Sequence, residues 1–187
     1  MRLFTGIELP ATEVAGLEAL LAELRPLAPL RWSTAANLHI TTKFIGEWPE
    51  SRLEELKSAL AAIPAPPTIA IGLDGFGWFP NPHQPRIFWV SVKAPPQLAG
   101  LATAIETHLA ALGIVKEDRP YRPHLTLARI DRPADLAPVR RAVAALPATG
   151  FGSFQAAAFH LYLSESGRYA KLASFPLPES TPEKAAS

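Results

Sequence analysis

The chain has 187 residues, enough for one domain with a substantial core, and 48% of them are hydrophobic, as in folded globular proteins. Eighteen Lys and Arg against 17 Asp and Glu leave a formal net charge of +1. No global field therefore gathers a long polyanion, and a nucleic acid would have to be met by a local patch, as at an end or a single nucleotide. The lack of cysteine excludes disulfides, thiolate metal sites and cysteine nucleophiles. The first ten residues do not read as a signal peptide and no run of about 18 apolar residues suggests a membrane span, so a cytoplasmic protein is expected.

In chain order, Arg2–Leu9 reads as a strand. A helix follows over 11–26, whose Val14, Leu17, Leu21 and Leu24 recur at helical spacing. Asn37–Gly46, rich in β-branched and aromatic residues, predicts a second strand, and Leu53, Leu56, Leu60 and Ile63 mark a helix over 49–63. Strands over 68–79 and 86–94 flank the proline-rich loop Asn81–Pro85. Leu98, Leu101, Ile105 and Leu109 carry a helix over 96–112, and a strand is expected at 123–130. A helix over 133–146 bears Leu136, Val139, Val143 and Leu146. Strands over 154–164 and 168–176 close a hairpin at Glu165-Ser166-Gly167. The polar, proline-bearing stretch from residue 177 to the end predicts a disordered tail, leaving 1–176 as a single domain.

The order strand, helix, strand, helix is thus written twice. The second strand of each copy opens on a similar signature, His39-Ile40-Thr41-Thr42 and His124-Leu125-Thr126-Leu127, 85 residues apart. The pattern predicts an α+β fold: a bilobal internal duplication with two mostly antiparallel sheets facing a central groove and helices on the outer faces. Strict strand alternation sends Ile40, Thr42 and Phe44 inward and puts His39, Thr41 and Lys43 on the groove face. In the second copy Leu125 and Leu127 turn inward, while His124 and Thr126 point with Arg122 to the groove. By the same alternation Arg129 falls on the opposite face, reaching the groove only if the strand bends.

A single His-x-Thr is most simply a hydrogen-bonded structural histidine; two at equivalent places in a repeat make a site. A zinc centre lacks a third ligand on either polar face, and a threonine nucleophile lacks a carboxylate to orient its histidine. Acid–base chemistry at phosphorus needs neither. Near neutral pH one imidazole can accept a proton while the other donates one, and two hydroxyls can hold non-bridging oxygens. A site that only grips a nucleotide or RNA end is the alternative from a different class. Arg122 and Lys43 are candidate RNA contacts, and Tyr121 and Trp32 are aromatics placed to stack on a base, Tyr121 the better of the two, whereas parity assigns Phe44 to packing. His83, His108 and His160 are read as structural or surface residues.

With NLHITTKFIGE, GFGWFPNPHQPRIFWV and RPYRPHLTLARI in order over roughly Met1–Pro176, the chain resembles the 2H phosphoesterase superfamily. Within it, the likeness is to the RNA 2′,3′-cyclic phosphodiesterases, formerly called 2′-5′ RNA ligases. The resemblance implies a groove between two lobes, no cofactor and no metal. It implies hydrolysis of RNA 2′,3′-cyclic phosphate ends to 2′-phosphates, with weak reverse joining. It also implies His39 as proton donor, His124 as proton acceptor, Thr41 and Thr126 on the phosphate, and Arg129 as a phosphate contact. Another cyclic nucleotide phosphodiesterase of the same fold is the alternative reading within enzymes. RNA ends are the expected partner, with no membrane and no protein partner evident. Thr42 stands where an aliphatic residue is common.

Overall fold

The computed structural model describes residues 1–179. Nine strands and four α-helices follow in the order β1 (Arg2–Glu8), α1 (Ala11–Leu24), β2 (Arg31–Trp32), β3 (His39–Glu47), α2 (Leu53–Ala61), β4 (Ile69–Phe79), β5 (Ile87–Lys93), α3 (Pro96–Ala110), β6 (His124–Arg129), α4 (Ala137–Ala144), β7 (Gly150–Ala156), β8 (Ala158–Glu165) and β9 (Arg168–Pro176). The expected α+β architecture is present, with one difference in its sheets. The strands run β7-β4-β5-β6-β3-β1-β8-β9, all antiparallel, with β2 beside β6. Two four-stranded lobes are therefore fused along β3 and β6, and the seam is a single register pair, Ile40 with Leu125. One pair lets the lobes splay apart on either side of the seam, so a groove forms without breaking the sheet.

The lobes do not coincide with the sequence repeats. β4 ends the first repeat but pairs only with β5 and β7, in the second lobe. β8 belongs to the second repeat but pairs with β1 and β9, in the first. Packing of α1 against β7, of α3 against β3 and of α2 against α3 and β9 crosses the halves in the same way. One continuous apolar core results, running from Leu3 and Ile7 through Leu21, Leu56 and Ile71 to Ile105, Leu127 and Phe159.

Local chemistry moved several boundaries. The helix expected at 133–146 starts at Ala137, because the Asp135 carboxylate accepts the Ala137 N–H (2.9 Å) and Pro138 suits only the first turn. The strand expected at 154–164 is two strands broken at Ala157, whose carbonyl accepts the Leu177 N–H (2.8 Å). Leu177 is buried and the Pro178 carbonyl accepts the Thr68 N–H (2.9 Å). The tail predicted from residue 177 therefore begins with a docked segment; its residues 180–187 lie outside the described residues. The hairpin closes on Ser166 and Gly167, both at positive φ as a two-residue turn between right-twisted strands requires. Among the described residues no helix is long and apolar enough to cross a membrane.

Candidate functional site

His39 and His124 open β3 and β6, the two strands of the seam. Their antiparallel register, fixed at Ile40–Leu125, sets Thr41 beside His124 and Thr126 beside His39, so each imidazole neighbours the other motif's hydroxyl. Both apolar residues of the seam pair are fully buried on the helix side. The two His-x-Thr ledges, as alternation predicted, face the groove.

Beyond each threonine the alternation fails, for the same reason in both lobes. Against β1, Gly6 pairs with Thr41 and Thr5 with Lys43, which leaves Thr42 as an inserted bulge residue. Against β5, Trp89 pairs with Thr126 and Phe88 with Ala128, which leaves Leu127 as its counterpart. A bulge gives one strand an extra residue and exchanges the faces of everything after it. The Thr42 hydroxyl is spent on the Thr5 hydroxyl (2.7 Å, buried), consistent with a structural role.

This exchange corrects three assignments. Lys43 is not in the groove: it is 4% exposed on the helix side, its ammonium on Glu106 Oε1 (2.7 Å) and the Val115 carbonyl (2.9 Å). Phe44, expected in the core, is 51% exposed, its ring 6.2 Å from that of Phe4. Arg129 pairs with Ile87 on the groove face, near enough for its charge to act on both histidines. Tyr121 is a strut rather than a stacking platform, its hydroxyl donating to the Thr41 carbonyl (2.9 Å). Arg122 reaches the site through its carbonyl, while its exposed side chain has no recorded partner among the described residues. Trp32 donates to the Ala28 carbonyl (3.0 Å) and packs edge-on to Phe88. His108 bonds the Ala104 carbonyl and His83 sits in an exposed loop. His160 lies on the groove side of β8, bonded to the Ser174 hydroxyl (2.9 Å).

Both imidazoles are oriented alike. His39 Nδ1 donates to the Asn37 carbonyl (2.7 Å) and His124 Nδ1 to the Arg122 carbonyl (2.7 Å). A carbonyl only accepts, so Nδ1 carries the proton in each and Nε2 is left to exchange protons in the groove. His39 Nε2 is 2.9 Å from Thr41 Oγ1. While His39 is neutral, the Thr41 hydroxyl must donate to it; protonating His39 frees that hydroxyl hydrogen for another acceptor.

Aromatic walls surround the pair, and sequence reasoning singled out none of their five residues. Phe4 (4.7 Å), Tyr169 (5.1 Å, perpendicular) and Tyr162 (6.2 Å) surround His39, while Phe79 (4.9 Å, perpendicular) and Trp89 (6.4 Å) flank His124. Trp89 needs Gly77 opposite, since a Cβ there would sit 2.0 Å from the indole. Alternation in β5 could have flagged Trp89; Tyr162 on β8 and Tyr169 on β9 carried no signal, because their strands join this lobe only through the exchange.

Burial lowers the His39 pKa to about 4, the Arg129 and His124 charges add to the depression, and the Asn37 carbonyl opposes it. Burial also holds His124 below its ordinary value, with Arg129 adding and the Arg122 carbonyl opposing. The unfolded chain, with an imidazole near 6.5, thus binds the extra proton between about pH 6.5 and pH 4. Stability is complete above that window and is lost as pH falls through it, by up to about 3 kcal/mol for His39 alone. Urea unfolding at pH 7 and pH 4.5 is expected to show a smaller pH loss for His39→Gln than for wild type. Equal losses would place the acid sensitivity elsewhere.

A family model described as the 2′-5′ RNA ligase superfamily matches residues 11–168. A relative from Archaeoglobus fulgidus, named RNA 2′,3′-cyclic phosphodiesterase, is 33% identical over 132 residues, 71% of this chain and 74% of that protein. A solved structure from Thermus thermophilus superposes with a TM-score of 0.78 at 28% identity, covering 97% of this chain and 100% of that one. The Escherichia coli LigT structure complexed with 3′-AMP gives 0.75 at 28% identity, over 94% and 97% of the two chains.

Proposed function

The chain belongs to the 2′-5′ RNA ligase superfamily, and from that premise we propose that it hydrolyses RNA 2′,3′-cyclic phosphate ends to 2′-phosphates by acid–base catalysis between His39 and His124. The observation that supports this most is the matched pair of imidazoles at the seam. Each has Nδ1 tied to the carbonyl two residues before it and Nε2 left for the groove.

In this reading the cyclic phosphate lies across the seam between the ledges. Neutral His124 takes a proton from water at Nε2 as the oxygen attacks phosphorus. Protonated His39 gives its Nε2 proton to the departing 3′ oxygen on the opposite side. As His39 becomes protonated it releases the Thr41 hydroxyl, which turns to a non-bridging oxygen. Thr126 serves the same charge from the other ledge, and the Arg129 guanidinium offsets the anion from above the bulge. The aromatic walls exclude water, which strengthens each of these interactions. With a 5′-hydroxyl in place of water, the same steps open the cyclic phosphate into a 2′-5′ phosphodiester as the 3′ oxygen leaves, which is the weak joining activity. RNA ends are the partner in this reading and the cytoplasm its compartment. A module that only binds nucleotides would not need both Nε2 atoms free of backbone partners.

The test is an oligonucleotide ending in a 2′,3′-cyclic phosphate, assayed across pH with and without EDTA. One imidazole must be protonated and the other neutral, so kcat/KM traces a bell that reports macroscopic values of the coupled pair. Both histidines are depressed in the free protein, so the maximum of kcat/KM is expected below pH 6.5. The kcat profile is expected at higher pH, because the bound anion favours imidazolium. Among the described residues no three His, Asp or Glu cluster as metal ligands, so dialysis against EDTA is expected to leave the profile in place. Activity abolished by chelation and restored by one divalent ion would sink these roles.

A further inference from the structure

The two lobes are alike in backbone but not in what they offer a polynucleotide beyond the histidines. In the first lobe Glu8 stands directly opposite His39, its carboxylate 2.6 Å from Lys171 Nζ and 3.8 Å from His160 Nε2. His160 and Tyr162 fill the strand beyond. That ground is bulky, its cation is already paired, and its carboxylate faces the groove. In the second lobe the position opposite His124 is Ser91, and the next groove-facing residue on β5, about 7 Å further along, is Lys93. Lys93 is exposed and has no hydrogen-bond or ion-pair partner recorded among the described residues. Across from it Gly72 on β4 and then Ser153 on β7 continue the row. Here the sheet forms an open hollow of about 530 Å³, floored by Ala70 and Gly72 and edged by Lys93, Ser153 and Gln155. That volume lies within the range of small-molecule sites.

We infer that this hollow on the second lobe binds the nucleotide that precedes the cyclic one, its phosphate on the Lys93 ammonium and its base flat on Ala70 and Gly72. Ser153 and Gln155, whose side chains have no recorded partners among the described residues, then meet the edge of the base. The inference rests on the phosphodiesterase reading and adds that the substrate is a chain at least two nucleotides long, leaving the site over the second lobe. The absence of a side chain at Gly72 leaves the floor flat enough for a base. The Glu8 carboxylate makes the first lobe the poorer exit for a polyanion.

The experiment compares kcat/KM for adenosine 2′,3′-cyclic phosphate with that for an adenylyl dinucleotide ending in the same cyclic phosphate. The wild-type ratio is expected to favour the dinucleotide by roughly tenfold, the scale of one charge-assisted contact. Lys93→Ala and Ser153→Phe, both at exposed positions, are expected to cut that ratio several-fold, and Lys93→Arg to keep it. In salt titrations of longer cyclic-ended oligonucleotides, Lys93→Ala is expected to reduce the log–log slope by about 0.7. A wild-type ratio near one, or a ratio indifferent to both Lys93→Ala and Ser153→Phe, would overturn the subsite. Binding of the 2′-phosphate products, dinucleotide against mononucleotide, reads the same ratio without turnover. A protein that hydrolyses neither substrate thus refutes the catalytic reading, while the binding ratio still decides the hollow.

Discussion

His39→Ala and His124→Ala are each expected to lower kcat/KM on a cyclic-phosphate oligonucleotide by on the order of 10²–10⁴, the usual worth of a positioned acid or base. The two imidazoles act at opposite ends of one displacement, so removing both is expected to cost little more than removing the more damaging one alone. Neither side chain is part of the apolar core, and each donates only to a carbonyl two residues away. Melting temperatures at pH 7 should therefore stay close to wild type. The pH profiles separate the roles: loss of the base removes the limb that reports it, and likewise for the acid. A folded variant with near wild-type turnover would refute the two-histidine mechanism.

Arg129→Ala is expected to lower kcat/KM by roughly 10- to 100-fold, as a charge-assisted contact to phosphate worth about 1.5–3 kcal/mol implies. Its second effect tells a phosphate contact from a remote structural one. The Arg129 charge helps to hold both histidines down, so its removal is expected to move the kcat/KM maximum to higher pH. Arg129→Lys keeps the charge but loses the planar fork, so it should restore the pH optimum more fully than the rate. An unchanged rate together with an unchanged optimum would put the guanidinium outside reach of both substrate and histidines.

One fused sheet was not foreseen, but periodicity and duplication made most of the strands, the helices and the two His-x-Thr ledges legible in the amino-acid sequence. What lay past Thr41 and Thr126 was not, and one physical cause accounts for Lys43, Phe44 and Arg129 together. Alternation assumes one residue per step along each strand, whereas Thr42 and Leu127 are each an extra residue against an unbulged neighbour. Neither looks unusual locally, since a threonine and a leucine are ordinary strand residues. The displaced Lys43 then found its partners, Glu106 and the Val115 carbonyl, on elements more than 60 residues away, beyond any local pattern. Arg129 was recoverable only as the case of a bent strand. The aromatic surroundings of His39 were hidden differently: Tyr162 and Tyr169 belong to β8 and β9, and nothing in their own strands says which lobe they join.

The exchange of β4 and β8 between lobes bears on how such a molecule could arise. A lone first repeat, β1 to β4, would have an outermost strand whose hydrogen-bonding neighbours all lie elsewhere. Two identical copies could satisfy each other by trading that strand, and the trade closes on a twofold axis at the seam. The simplest ancestor of this architecture is therefore a pair of short chains, each lending one histidine to a shared site. Joining two such chains end to end would make the pairing permanent. It would also leave the two copies free to differ, as they do where Glu8 faces one histidine and Ser91 the other.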